Sequence, residues 1–99
     1  MTQALQVSFR RLVPNEGLVG LAATRYRRLG STLLGPSECL VSLEALGRAT
    51  RALTRAQVRL ERSGQPSAHA EARHRDPFAA LDAALTALEA QFRRPPWQN

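Results

Sequence analysis

The chain has 99 residues, of which 43% are hydrophobic and 22% charged; this composition implies one folded domain and excludes both a fully disordered chain and a second core of comparable size. Fourteen basic residues against eight acidic ones give a net charge of +6, which favours a polyanionic partner. No apolar stretch approaches the roughly 20 residues that a membrane span requires, so an integral membrane protein is excluded.

Residues 4–10 alternate, with Leu5, Val7 and Phe9 on one side and Gln6, Ser8 and Arg10 on the other, the period-2 pattern of a half-buried strand. Asn15 is placed to cap a helix whose apolar positions Leu18, Leu21, Ala22, Tyr26 and Leu29 recur at helical spacing, with Gly30 as its stop and Gly17 and Gly20 weakening it. A break at Gly35, Pro36 and Ser37 leads into a second strand over 38–45, where Cys39, Val41 and Leu43 alternate with Leu40, Ser42 and Glu44. A third strand fits 51–61, with Arg51, Arg55, Gln57, Arg59 and Glu61 on one parity, Ala52, Ala56, Val58 and Leu60 on the other, and Leu53 as the exception. Ser63, Gly64, Gln65 and Pro66 form a turn, after which Ala68, Ala70 and Ala72 alternate with His69, Glu71 and Arg73 in a short fourth strand.

Asp76 followed by Pro77 is a helix start, because the carboxylate accepts from a free backbone N–H and proline fits the first helical position. Phe78, Leu81, Leu85, Leu88 and Phe92 then repeat at three and four, predicting a helix to about Arg94 that buries one stripe. Pro95 and Pro96 end it. The expected fold is α+β, in the order β-α-β-β-β-α: a four-stranded sheet with two helices packed on one face. Residues 1–94 form this single RNA-binding-like domain, and residues 95–99 form a short tail from which Trp97 could tuck back.

The order of elements and certain residues resemble the bacterial ribosome hibernation-promoting factor and ribosome-associated inhibitor family. The stretch Leu5, Gln6, Val7, Ser8, then Arg10, Leu12, Asn15, Leu18, Ala22, Tyr26 and Leu29 is similar to the family's opening. The most specific piece is Asp76, Phe78, Ala79, Ala80, Leu81 and Asp82, where a strand of small residues runs into an acidic residue, an aromatic and an amphipathic helix. The resemblance implies a domain that binds the small ribosomal subunit, and its RNA, in the channel of messenger and transfer RNA, silencing idle ribosomes under stress. It implies no catalysis. Ending at Asn99 without an acidic tail, the chain looks like the plain short form of the family. Nothing at the N-terminus resembles a signal peptide, and a cytoplasmic, monomeric protein is expected.

The candidate RNA-binding residues are Arg10, Arg11, Arg25, Arg27, Arg28, Arg51, Arg55, Arg59, Arg73, Arg93 and Arg94. All fourteen cations of the chain are Arg. A guanidinium holds phosphate bidentately, although a GC-rich genome also replaces Lys by Arg throughout. In the family the RNA-facing surface is largely the exposed side of the two helices. Here residues 76–99 carry two Arg against three acidic residues, while residues 1–37 carry five against one and residues 38–75 seven against four. The outer positions of the second helix are Ala83, Thr86, Ala87 and Ala90, and Arg93 and Arg94 suit a helix C-terminus whatever their role. Arg25, Arg27 and Arg28, with Arg10 and Arg11, either line one side of the domain for RNA or are a solvated helix end with Arg25 snorkelling over apolar surface. Arg51, Arg55 and Arg59 share one face of the third strand at steps of about 13 Å. With Arg73 and His69 they make either a basic sheet surface or a ladder with Glu44, Glu61 and Glu71 that keeps the open face soluble.

Catalytic chemistry is not expected. His69 and His74, with Cys39 distant, match no zinc spacing, no glycine-rich phosphate loop occurs, and Cys39 alternates into the buried face. No cofactor, metal or small-molecule substrate is implied. A second reading makes the chain a protein-interaction or regulatory module on the same fold, docking or dimerising through the Ala-rich second helix.

Overall fold

In the computed structural model, described for residues 3–33, 35–48 and 52–92, the first strand β1 (Gln3–Arg10) leads into helix α1 (Glu16–Gly30). Strands β2 (Ser37–Leu46), β3 (Leu53–Arg62) and β4 (Ala68–His74) follow, and helix α2 (Pro77–Ala90) comes last. The sheet order is β1-β2-β3-β4. The α1 crossover makes β1 parallel to β2, whereas the turns after β2 and β3 make antiparallel pairs. The result is the α+β fold expected from the alternation.

The strand parities come into register across the whole sheet. Phe9, Leu43, Ala56 and Ala72 form one cross-strand row, and Val7, Val41, Val58 and Ala70 the next. These rows face the helices. Leu43, Val58 and Leu60 are essentially inaccessible, as are Leu18 and Ala22 of α1 and Ala80, Leu81, Ala84, Leu85 and Leu88 of α2. Alanine is a poor strand former, yet Ala68, Ala70 and Ala72 pair with β3 and pack against the core. Their small size brings α2 close over the sheet.

Both helix starts follow the residues that predicted them. The Asn15 side chain accepts from the backbone N–H of Gly17 and Leu18 at 2.7 and 3.3 Å, and Asp76 accepts from Phe78 N–H at 3.0 Å with Pro77 in the first turn. The helix ends differ from expectation. Gly30 is the buried last residue of α1 rather than a left-handed stop, and the cap is Ser31, in right-handed conformation with its N–H on the Arg27 carbonyl. The left-handed glycines are instead Gly35, Gly47 and Gly64, all in connections between elements. Helix α2 ends at Ala90, short of Arg94. Its last turn is closed by three-residue bonds from Gln91 and Phe92 to Leu88 and Glu89, and the Gln91 amide ties it to the His69 carbonyl at 2.7 Å. The Leu53 exception resolves as a strand beginning at that residue, in which Thr54 takes the buried parity.

Phe78 departs from the apolar stripe. It is 41% exposed, because it lies over the N-terminus of α1, where a Cβ on Gly17 would come within 3.0 Å of its ring. Ala80 and Ala84 fill the core in its place. Tyr26 joins α1 to β2, its hydroxyl donating to the Ser37 carbonyl at 2.9 Å and pairing with Ser37 Oγ at 2.6 Å.

Candidate nucleic-acid interface

The candidate arginines fall into groups with different surroundings. Arg25 leaves the surface of α1 and crosses to α2. Its Nε and Nη2 meet the two carboxylate oxygens of Glu89, each at 2.8 Å, while Nη1 meets Asp82 at 2.6 Å and Nη2 also reaches Thr86 Oγ1 at 3.0 Å. The planar fork matches the carboxylate bidentately, and the hydrogen bonds that Arg25 donates to Glu89, outweighing the cost of burial, raise the guanidinium pKa further above its ordinary value. Arg25 therefore neither snorkels nor presents a free cation. The expected α1 cluster separates into Arg25, which binds the helices together, and Arg27 and Arg28, which stay exposed in the last turn.

The open face of the sheet carries Arg55, Arg59 and Arg73, each beside a carboxylate. Glu44 and Arg55 are direct cross-strand partners and form a half-buried ion pair. Arg59 lies 3.7 Å from Glu61, and Arg73 3.3 Å from Glu71, which also accepts from Gln57 across the strands. Only Arg55–Glu44 pairs cations and anions across strands, because Arg59–Glu61 and Arg73–Glu71 each lie two residues apart within a single strand. The exposed pairs are screened and weak enough to exchange partners, whereas Arg55 is half-buried, with its Nε buried and without a hydrogen-bond partner among the described residues. Between these rows Leu40 floors a shallow hollow of about 390 Å³ rimmed by Arg59, His69, Gln57 and Glu71.

Arg10 and Arg11 stand at the end of β1, exposed and without a carboxylate partner among the described residues. Arg51, Arg93 and Arg94 lie outside the described residues. Two further exposed and unpaired cations, Arg48 after β2 and Arg75 between β4 and α2, were not singled out by sequence reasoning because each sits alone in a connection. Their common signal is topological: β1, β2 and β4 all run the same way, so Arg10, Arg11, Arg48 and Arg75 emerge at one end of the sheet. Arg62, at the other end, stacks on Phe92 with its guanidinium carbon 5.0 Å from the ring centre.

Cys39 is buried in the sheet, and burial pushes its thiol up to about 11. Such a thiol is a packing group at neutral pH. Among the described residues no three His, Cys, Asp or Glu side chains come together, and no helix is long and apolar enough to cross a membrane.

Residues 5–95 match the family described as sigma 54 modulation protein / S30EA ribosomal protein. The chain belongs to this family. Among solved structures, the N-terminal domain of Thermus thermophilus Protein Y superposes with a TM-score of 0.74 at 24% identity, covering 94% of this chain and all of that one. A ribosomal subunit interface protein from Coxiella burnetii superposes with a TM-score of 0.64 at 13% identity, covering 89% of this chain and 91% of that one. At these identities the likeness shows a shared fold. No curated protein sequence matches the chain.

Proposed function

We propose that this protein binds the small ribosomal subunit through ribosomal RNA and silences idle ribosomes by occupying the channel of messenger and transfer RNA. The observation that carries the reading is the family match over residues 5–95, and the names of the structural neighbours, Protein Y and a ribosomal subunit interface protein, point the same way. The chemistry of the surface is compatible. Arg10, Arg11, Arg27, Arg28, Arg48 and Arg75 are exposed and carry no ion pair among the described residues, so they are available to phosphates without first breaking an internal contact. Helix α2 contributes little, since its outward positions are Asp82, Ala83, Thr86, Ala87 and Ala90, and Arg25 engages Asp82 and Thr86. On this domain, the cations free for RNA lie at the end of α1 and in the connections between strands.

Such contacts release counterions, so affinity falls steeply with salt. The test is cosedimentation with purified small subunits over a salt series, followed by translation of a reporter messenger in a purified system. The expected result is binding that is strong at low salt, weakens steeply as salt rises, and inhibits initiation. Absence of binding at low salt would sink the reading.

A further inference from the structure

We infer that the phosphate-gripping part of this domain is one end of it, the end at which β1, β2 and β4 finish, so that RNA is met end-on rather than along the helix faces. The inference rests on the ribosomal reading for its biological partner, and on the placement of charge for the surface itself. Arg10 and Arg11 close β1, Arg48 follows β2, and Arg75 follows β4. They come from three separate connections, and parallel pairing of β1 with β2 and two antiparallel turns bring them to the same end. All four are exposed and, among the described residues, unpaired.

Among the described residues, no ion pair accounts for the cations there. Both α1 and α2 begin at this end, and a helix N-terminus is the positive end of its dipole. Placing unpaired Arg beside two such ends is unfavourable to the isolated protein and favourable to a complex with a polyanion. The carboxylates nearby pair with none of them among the described residues: Glu16 opens α1, Asp76 caps α2, and Glu44, which lies between Arg10 and Arg55 in the last row that β1 joins, is held by Arg55. At the opposite end the fold itself explains its cations, because Arg27 and Arg28 sit at the negative end of α1 and Arg62 lies on Phe92. Arg11 adds a second indication. Its φ of 55° puts a non-glycine residue in the left-handed region, where Asn or Gly would be less strained, so the position carries arginine at a conformational cost.

The test compares the wild type with Arg11→Asn/Arg48→Ala/Arg75→Ala and with Arg27→Ala/Arg28→Ala, using small ribosomal subunits and, separately, oligouridylate as probes. Asn at position 11 keeps the left-handed backbone accessible, and a thermal melt verifies folding of each variant. Loss of three phosphate contacts predicts an affinity reduced about tenfold or more at low salt and a log-log salt slope shallower by about 2, with a smaller change for the Arg27/Arg28 variant. Binding to oligouridylate that depends on the three arginines, without binding to subunits, would keep this inference and overturn the ribosomal reading. Subunit binding unchanged in the triple variant but lost in the Arg27/Arg28 variant would overturn this inference and keep the ribosomal reading. A wild type that binds neither probe would overturn both.

Discussion

Arg25 and Glu89 lie 64 residues apart and form a two-pronged ion pair that joins the two helices side by side. Both side chains are largely buried, 14% and 15% exposed. The helices start at the same end of the sheet, so their dipoles are parallel, and Glu89 stands in the last turn of α2, where a carboxylate is unfavourable. The guanidinium offsets that placement.

Removing one partner of this pair leaves the other buried. Arg25→Ala is expected to destabilise the domain by about 3 kcal/mol, the low end for breaking a buried pair, and Glu89→Ala by a similar amount. Arg25→Lys should recover only part, because an ammonium cannot engage both oxygens. A double Arg25→Leu/Glu89→Leu variant should be far closer to wild type than either single change. Urea denaturation of the four variants beside wild type measures this, and equal stability of Arg25→Ala and wild type would show that the pair is ornamental. For the same reason Arg25 is best kept intact in any binding study of the first helix.

Gly17 and Gly20 make opposite predictions within one helix. A Cβ on Gly20 meets nothing within 4 Å, so Gly20→Ala should stabilise by about 0.5 to 1 kcal/mol through helix propensity and a less flexible unfolded chain. On Gly17 the same atom meets Phe78 and the capping oxygen of Asn15, both at 3.0 Å. Gly17→Ala should therefore gain nothing or lose stability, and thermal melts of the two variants should move apart.

Cys39 supplies a pH dependence with a definite sign. Its thiol is raised from the ordinary 9.0 to about 11 in the folded state, so between these values the unfolded chain has lost a proton that the folded one keeps. Stability contributed below pH 9 is then lost as pH rises toward 11, by up to about 3 kcal/mol. Cys39→Ala should flatten that decline at some cost in packing. In native wild type at pH 8 iodoacetamide should label Cys39 only at the rate of unfolding, and rapid stoichiometric labelling would contradict the burial.

The start of α2 rests on Asp76. Asp76→Ala removes the acceptor of the Phe78 N–H and is expected to cost about 1 kcal/mol, whereas Asp76→Asn or Asp76→Ser should cost much less. Hydrogen exchange of the first-turn amides localises the effect. Uniform loss of protection through the whole domain, with the first turn no more affected than the rest, would argue against a capping role.

The strands and both helix caps were legible because they depend on local chemistry: alternation of Leu5, Val7 and Phe9, the oxygen of Asn15, the Asp76-Pro77 pair. The partnership of Arg25 with Glu89 was not, since reading each helix alone sets Arg25 against its own apolar stripe and gives no view of the neighbouring helix. Phe78 has stripe periodicity but lies at the helix start, where its ring finds the gap over Gly17 rather than the core. The pairing of Arg55 with Glu44 was one of two open alternatives, and register decided it. The convergence of Arg48 and Arg75 with Arg10 and Arg11 needs strand directions, which residue spacing does not contain.

The three alanines of β4 have a consequence for recognition. Where it crosses β4, with only methyl groups beneath it, α2 settles against the sheet, and side chains such as Leu81, Ala84 and Leu88 are buried in the interior. On the proposed ribosomal role, the domain's contour and outward charges would be matched to a preformed groove, the way a wedge is matched to a slot.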